Sequence, residues 1–382
     1  MLEESDVILD GPITKEEVIT TVKSLKNGKS AHPDGIIGEL IKYSDGFCVD
    51  FLVKVFNKIF DKGIYPINWT ESIILPLYKK GNISDPKNYR GISLLDVTSK
   101  LYSCIINDRL RTWIDRNDTV GEHQAGFRRD YSTIERIFTL LANVQKQLVL
   151  NRKLYVAVHD FKKAFDSVSR HLLWPILQKN KIKGKLFCAI RGMYDTVLAP
   201  VRSGNRLSDL IECNHGVKQG DVCRPVLFSL FINELAHAMI REEKHGAVVS
   251  PELIELFILL FADDLLLMSE TPIGLQNQLN SLWKSAKKHD LKVNLNQSSV
   301  IVFRKGGFWG RKDKWFYGNS ELHVVNKYKY LNLFFFTKLN FNAVVRDLSG
   351  KAKTAVMRVL SVLYRIESHS LDLKFADFIV WC

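Results

Sequence analysis

Cysteine is scarce in this sequence, and the few cysteines lie far apart. The 382 residues include six, and these form neither a CxxC pair nor a Cys/His cluster. That spacing argues against a zinc site or a disulfide framework. Such cysteines are typical of a reducing compartment, so we expect an intracellular protein of the nucleus, the cytoplasm or both, and not a secreted one.

Long hydrophobic runs and low-complexity stretches are also missing. The most apolar segment, residues 256–268, is interrupted by two aspartates and is shorter than the ~20 apolar residues that a membrane span needs. The N-terminus is acidic and has neither the cationic start nor the apolar run of a signal peptide. We therefore expect no membrane partner and no secretion signal.

The composition is that of a folded protein with a basic surface. Hydrophobic residues make up 46% of the chain, which is enough for a packed core. Because single cores rarely grow past roughly 250–300 residues, the length predicts subdomains. The formal net charge of +13 suggests a polyanionic partner such as nucleic acid, although an ordinary basic protein would show the same balance.

Capping boxes mark two helix starts, at Thr14–Glu17 and at Ser132–Glu135. The apolar spacing after the second box predicts a helical face made of Ile134, Ile137, Phe138 and Leu141.

Strand and helix signals alternate between residues 150 and 303. Residues 154–159 alternate as a strand does, and Asp160 follows at its end. Two short apolar strands flank Asp263-Asp264, and helical spacing is seen in residues 225–239 and 275–286. This order favours an α+β domain with helices on one side of a small, mostly antiparallel sheet of the split βαβ kind.

Asp160, Asp263 and Asp264 are the candidate catalytic residues. An aspartate after a strand is most often a turn former, but an Asp-Asp pair inside an apolar hairpin is harder to explain in that way. If the strands are neighbours, the carboxylates converge and repel by several kcal/mol at about 4 Å unless a cation compensates. Magnesium suits such oxygen ligands, and two ions can stabilise the attacking and leaving oxygens in nucleotidyl transfer.

Seven short segments occur in a recognisable order along the chain. They are Gly28-Lys29-Ser30 with Pro33-Asp34-Gly35, Asn88-Tyr89-Arg90-Gly91-Ile92-Ser93-Leu94, Gln124-Ala125-Gly126-Phe127-Arg128, Asp160 through Lys163-Ala164-Phe165-Asp166, Gly216-Val217-Lys218-Gln219-Gly220, Phe261-Ala262-Asp263-Asp264 and Tyr328-Lys329-Tyr330-Leu331. Any one of them could arise by chance. Together, they resemble the reverse transcriptases of LINE-type (non-LTR) retrotransposons through most of the chain.

The resemblance implies a right-hand polymerase fold of the α+β class, with fingers, a ferredoxin-like palm and a partial thumb. We expect an N-terminal extension at residues 1–70, fingers and palm at 71–303, and a primer-grip region with a truncated thumb at 304–382. The implied activity is that of an RNA-directed DNA polymerase, a nucleotidyltransferase that adds dNTPs to a primer 3′-hydroxyl on an RNA or DNA template. Two Mg²⁺ ions would serve as cofactors, with Mn²⁺ as a possible substitute.

The resemblance also assigns metal and sugar contacts. Asp160 and Asp263 would hold the metals with help from the backbone carbonyl of Phe161, and Asp264 would be an auxiliary carboxylate. Phe165 would be the steric gate that occupies the space of a ribose 2′-hydroxyl. The alternative for Phe165 is an ordinary core phenylalanine.

Other segments supply the implied nucleotide contacts. Arg128 would bind the incoming triphosphate, since a guanidinium forks onto phosphate. Gln219 and Gly220 would line the nascent base pair. Arg90 could also bind phosphate or could be a solvated loop residue, and Asp166 would support its loop.

Four positions depart from the family pattern: His32, Arg224, Gln297 and Asn332. His32 and Arg224 are expected to be peripheral, and Asn332 can still adopt a left-handed turn. Gln297 replaces a lysine thought to protonate the leaving pyrophosphate, which an amide cannot do.

These departures, with an end inside the expected thumb and no visible endonuclease, leave an alternative open. The protein could be a catalytically decayed reverse transcriptase that still binds nucleic acid. An intron maturase or a telomerase would share the aspartates but would need an accessory domain, and the sequence shows none.

Overall fold

The structure is a computed structural model that describes residues 4–29, 34–204, 206–218, 220–242, 257–307, 313–339 and 341–365. Its helices are α1 Glu4–Asp10, α2 Lys15–Lys23, α3 Gly38–Lys42, α4 Gly46–Lys62, α5 Ile67–Thr70, α6 Val97–Arg116, α7 Thr133–Val149, α8 Arg170–Lys179, α9 Gly184–Asp195, α10 Arg224–Glu242, α11 Pro272–Lys288 and α12 Phe341–Arg365. Its strands are β1 Ile73–Tyr78, β2 Tyr89–Leu94, β3 Leu154–His159, β4 Leu198–Ala199, β5 Arg202–Ser203, β6 Arg206–Leu207, β7 Ile211–Glu212, β8 Ile258–Phe261, β9 Asp264–Ser269, β10 Ser299–Phe303, β11 Phe316–Tyr317, β12 Ser320–Glu321, β13 Val324–Val325, β14 Lys327–Tyr330 and β15 Leu333–Phe336. Within these ranges, no helix is both long enough and apolar enough to span a bilayer.

A five-stranded sheet with the order β13-β10-β3-β9-β8 lies at the centre. All its strand pairs are antiparallel except β10 with β13. In the chain, β3, α10, β8, β9, α11 and β10 follow one another as β-α-β-β-α-β, with the small helices and hairpins of 170–212 inserted before α10. The four strands of that unit stand in the order fourth, first, third, second, which is the ferredoxin-like arrangement. The predicted α+β class and ferredoxin-like palm are therefore confirmed.

Both faces of this sheet are covered. Every residue of β3 is buried, because Tyr155 and Ala157 pack in the cluster that contains α10 and α11 while Leu154, Val156 and Val158 face the opposite way. On that second face, α7 and the β14–β15 hairpin pack against the strands. The prediction of helices on one side only was wrong, since two apolar faces on one strand require two covering layers.

Helix α7 begins as predicted, but only part of its predicted face is buried. The Glu135 side chain accepts a hydrogen bond from the Ser132 backbone at 3.1 Å, which completes the capping box. Ile137 and Leu141 pack against the core beside the buried Leu140 and Val144, as predicted for the first two. However, Ile134 and Phe138 are 73% and 67% exposed. The apolar pattern identified only part of the buried face because polar side chains there find hydrogen-bond partners, as the bond from Gln147 to Glu270 shows.

The β14–β15 hairpin forms despite its unusual loop. Leu331 and Asn332 both have positive φ, 43° and 69°, and Tyr330 pairs with Leu333 across them. A two-residue loop with two left-handed residues matches the twist of a hairpin, and asparagine tolerates that conformation. The expectation for Asn332 is confirmed.

The N-terminal helices share the main core. Residues of α1, α2 and α4 pack in the same apolar cluster as α6, α9 and one face of the sheet. Arg109 of α6 ties them down: its guanidinium donates to both carboxylate oxygens of Glu17, at 2.7 and 2.8 Å, and to the carbonyls of Gly11 and Pro12. The division at residues 1–70, 71–303 and 304–382 stays a prediction.

Replacing Arg109 with alanine should lower the free energy of unfolding by about 3 kcal/mol, because the carbonyls of Gly11 and Pro12 lose this donor and the half-buried Glu17 carboxylate loses its cation, keeping only its bond from the Thr14 backbone. This is the lower end of the range for a broken buried pair, since the Glu17 side chain keeps 30% exposure. Urea denaturation at pH 7 measures the change. Arg116→Ala, in the exposed last turn of α6, is the matched control, and an equal loss in the two variants would contradict the role of Arg109.

Candidate active site

The adjacent aspartates lie at the tip of the β8–β9 hairpin. Phe261 pairs with Asp264, so Ala262 and Asp263 form a two-residue loop in which Ala262 has a φ of 57°. The neighbouring strand β3 pairs His159 with Leu265, and one step further in this register brings Asp160 level with Asp264. The three predicted catalytic carboxylates are therefore brought to one edge of the sheet.

Their electrostatics show that they repel one another. Burial and the charge of Asp160 raise the pKa of Asp263, although the cations Arg90 and Arg224 oppose this shift. Burial, together with the charges of Asp263 and Asp160, raises the pKa of Asp264 to about 6. The folded chain thus holds partly desolvated like charges together, and a cation would relieve the conflict.

The described residues do not form a complete metal site from side chains alone. Among the described residues, no three His, Cys, Asp or Glu side chains are gathered closely enough to hold a metal ion by themselves. Magnesium does not need such a cage, since it usually binds through one or two carboxylates, waters and substrate phosphates. The carboxylates at this edge of the sheet therefore fit an open Mg²⁺ site.

The hairpin tip is held from one side by the segment around Gln124. The Gln124 side chain accepts from the backbone N–H of Ala262 at 3.3 Å, and the backbone beside it pairs with Leu260. Gly126 approaches so closely that a Cβ there would come within 2.1 Å of the Ala262 nitrogen. This contact gives a physical role to the Gln124–Arg128 segment, whose glutamine and glycine were not assigned one from sequence.

Asp160 is held from the other side by Asn294. Asn294 Nδ2 donates to Asp160 Oδ2 at 3.1 Å and also to the side-chain oxygen of Gln297. The backbone N–H of Asn294 donates to the Asp160 carbonyl at 2.7 Å. Phe161 forms an antiparallel bridge with Val293 in the same crossing. Sequence reasoning missed Asn294, and only its position three residues before Gln297 connects it to the family pattern.

Phe165, five residues after Asp160 in the chain, lies in an aromatic cluster. Its ring centroid is 4.3 Å from that of Phe228 and 6.0 Å from that of Phe127. The guanidinium carbon of Arg224 lies 4.5 Å from the same ring centroid, and its Nη2 lies 3.3 Å from Asp166. Arg224 was expected to be peripheral, and that was wrong: its distance from Phe165 in sequence hid a tertiary contact.

The described contacts of Arg128 lie within residues 118–131. Its guanidinium stacks 4.2 Å from the Tyr131 ring centroid and donates to the carbonyl of Gly121. Its ion-pair partners are Asp118 and Glu122, which precede it by ten and six residues in the chain. The cations that act on Asp263 are Arg90 and Arg224, so the triphosphate contact of Arg128 stays a prediction without support from its position.

The loop that precedes α10 packs against strand β2. Gly220 has a φ of 115°, and a Cβ there would lie 2.3 Å from the carbonyl oxygen of Ser93, so only glycine fits. Next to it, Gly91, Ser93, Asp166 and Lys218 help to line a cavity of about 210 Å³. Gln219 and His32 lie outside the described residues. Base-pair contact by Gly220 stays a prediction.

The raised pKa of Asp264 predicts a pH-dependent stability. A carboxyl that binds protons more tightly when folded favours folding at low pH, and this contribution is lost as the pH rises through about 6. In EDTA, Asp264→Asn should therefore melt at a higher temperature than the parent at pH 7.5. The difference should shrink below pH 6 and vanish near pH 4. Asp115→Asn, an exposed site on α6, is the control, and identical melting of Asp264→Asn and parent at pH 7.5 would contradict the shift.

Comparison with known proteins places the chain in a family. The sequence model described as "Reverse transcriptase (RNA-dependent DNA polymerase)" matches residues 77–333. The chain is 29% identical over 297 residues to a probable RNA-directed DNA polymerase from transposon BS of Drosophila melanogaster, covering 74% of this chain and 31% of that protein. It is 25% identical over 358 residues to the RNA-directed DNA polymerase from mobile element jockey of the same species, covering 91% and 38%.

A Pol polyprotein from the type-1 retrotransposable element R2 of Popillia japonica is 25% identical over 373 residues, covering 94% of this chain and 48% of that protein. The chain thus spans less than half the length of these three curated relatives. Because the family model matches more than half of the chain and the relatives come from non-LTR elements, the chain belongs to the reverse transcriptase family, on its LINE-type branch.

Proposed function

We propose that this chain is the polymerase core of an RNA-directed DNA polymerase. The observation that carries the proposal is the meeting of Asp160 with Asp263 and Asp264 at one sheet edge, where burial and like charge raise the pKa of the latter two. A structural role does not explain this arrangement, because it costs stability at neutral pH. Its reaction is attack of a primer 3′-hydroxyl on a dNTP, copying an RNA or DNA template.

Asp160 and Asp263 would hold two Mg²⁺ ions, with the Phe161 carbonyl as a further oxygen ligand and Mn²⁺ as a substitute. When bound, the metal supplies positive charge where the attacking and leaving oxygens become negative. The chain's own part is to fix the ligands in place. Asn294 orients Asp160 by two hydrogen bonds, and Gln124 fixes the loop that carries Asp263.

The remaining residues would position the nucleotide. Phe165 is the proposed sugar gate, and it lies half-buried between Phe127 and Phe228. Arg90, an exposed residue of β2 whose charge reaches Asp263, is better placed than Arg128 to bind phosphate. The net charge of +13 suits a template–primer duplex. We propose that the protein acts inside the cell, in the nucleus or cytoplasm, because its cysteines are unclustered.

Asp160→Asn and Asp263→Asn should each abolish metal-dependent primer extension on an RNA template, because an amide is a far poorer metal ligand than a carboxylate. Binding of the RNA, measured by filter retention or anisotropy, should stay nearly unchanged. Asp115→Asn, on the exposed face of α6, should extend at the parent rate.

Extension by either mutant at more than a few per cent of the parent rate would remove these residues from the catalytic role. A parent chain that binds RNA tightly yet extends no primer with either Mg²⁺ or Mn²⁺ would favour the decayed interpretation instead.

Gln297→Lys should speed single-nucleotide incorporation by at least about tenfold, because a positioned acid can contribute ~10²–10⁴-fold when pyrophosphate leaves. Gln297 lies at this site, bonded through Asn294 to Asp160. Gln297→Met is the matched control, since it removes the acceptor for Asn294 without adding a charge. Single-turnover rates at saturating dNTP measure the effect. A lysine variant no faster than the methionine variant would show that no cationic acid is missing at position 297.

A further inference from the structure

Phe165 is held by two side chains that lie one helical turn apart on α10. Arg224 and Phe228 stand at i and i+4, so they project from the same face of the helix. The guanidinium carbon of Arg224 lies 4.5 Å from the Phe165 ring centroid, and the Phe228 centroid lies 4.3 Å from it. A rigid helix thus sets the position of the ring through two contacts.

The contacts of the Arg224 guanidinium fix its position against Phe165 and Asp166. Nη2 lies 3.3 Å from Asp166, the residue next to Phe165, and the Arg224 side chain is only 13% exposed. Nη1 is buried and has no hydrogen-bond acceptor. A charged donor buried without an acceptor is costly, so contact with the aromatic face and the ion pair must offset that cost. Arg224 therefore joins the ring and the neighbouring carboxylate into one unit.

The same cation also acts on the carboxylate cluster. Arg224 is one of two arginines whose charge opposes the rise in the pKa of Asp263. Arg224 thus contacts the proposed sugar gate and also carries a charge that acts on the proposed metal ligand.

We propose that Arg224 is a positioning residue that holds the Phe165 ring against the sugar of the incoming nucleotide and so sets the preference for deoxyribonucleotides. This rests on the proposed function, because it assumes that Phe165 faces that sugar. A ring can reject one added hydroxyl only if it cannot move aside, and a shift of about 1 Å would be enough to admit it. Phe228 limits the ring from within the core, and Arg224 limits it together with the loop of Asp166.

Three variants separate the parts of this contact. Arg224→Lys keeps the charge but loses the planar face, Arg224→Gln loses the charge, and Asp166→Asn loses the ion pair while Arg224 remains. Arg241→Gln is the matched control, since Arg241 lies on the same helix with its side chain 63% exposed and pairs only with Glu234 in the described contacts. Phe165→Val sets the loss expected when the gate itself is enlarged.

The first readout is the ratio of kcat/KM for dNTP to that for the matching rNTP in primer extension. Arg224→Lys and Arg224→Gln should lower it about two- to fivefold, the range that a cation–π contact carries, and Asp166→Asn should lower it less. Some loss of melting temperature is expected, because the same contacts stabilise the fold, but the ratio should fall by this amount whatever the size of that loss. A merely structural arginine would lower the melting temperature and both kcat/KM values together, leaving the ratio unchanged.

The second readout is the ratio of the affinities for dGTP and GTP with calcium in place of magnesium, on a template–primer with a templating cytosine. It needs no turnover. If the parent extends no primer, the proposed activity fails, and this affinity ratio still decides the role of Arg224. An unchanged ratio in both Arg224 variants overturns the inference, whether or not Phe165→Val lowers it.

Discussion

The constraint on which this structure depends is the placement of like charges at the end of a buried sheet. β3 must be apolar on both faces because two layers cover it, yet Asp160 follows directly and meets the Asp263-Asp264 turn. Folding therefore brings together carboxylates whose negative charges repel one another. The packing of the two apolar clusters against the sheet outweighs the repulsion among these carboxylates, so the strands stay in place.

Contacts from neighbouring segments keep these carboxylates from moving apart. Gln124 and Gly126 press on the hairpin tip from one side, and Asn294 holds Asp160 from the other. Arg224 and Phe228 contact the ring of Phe165, five residues after Asp160 in the chain. Such preorganisation is what metal-assisted nucleotidyl transfer requires of a protein, because the metals and substrate then bind to groups that need not move.

The sequence predicted those parts of the site that local patterns encode. The alternation of 154–159 and the apolar runs around Asp263-Asp264 give strands, and helical spacing gives α10 and α11 with their core positions. It missed contacts that depend on tertiary placement, such as Arg224 on Phe165. On α7 it predicted Ile137 and Leu141 correctly but not Ile134 and Phe138, because buried polar residues such as Gln147 carry hydrogen bonds that hydrophobic spacing cannot show.

If these carboxylates form a divalent metal site, the protein should bind Mn²⁺ directly. Electron paramagnetic resonance can count bound Mn²⁺ on the chain with template–primer and a non-hydrolysable dNTP analogue present. We expect two bound ions per chain, and loss of both sites or a large drop in affinity in Asp263→Asn. Binding of Mn²⁺ by Asp263→Asn with the stoichiometry and affinity of the parent would contradict it.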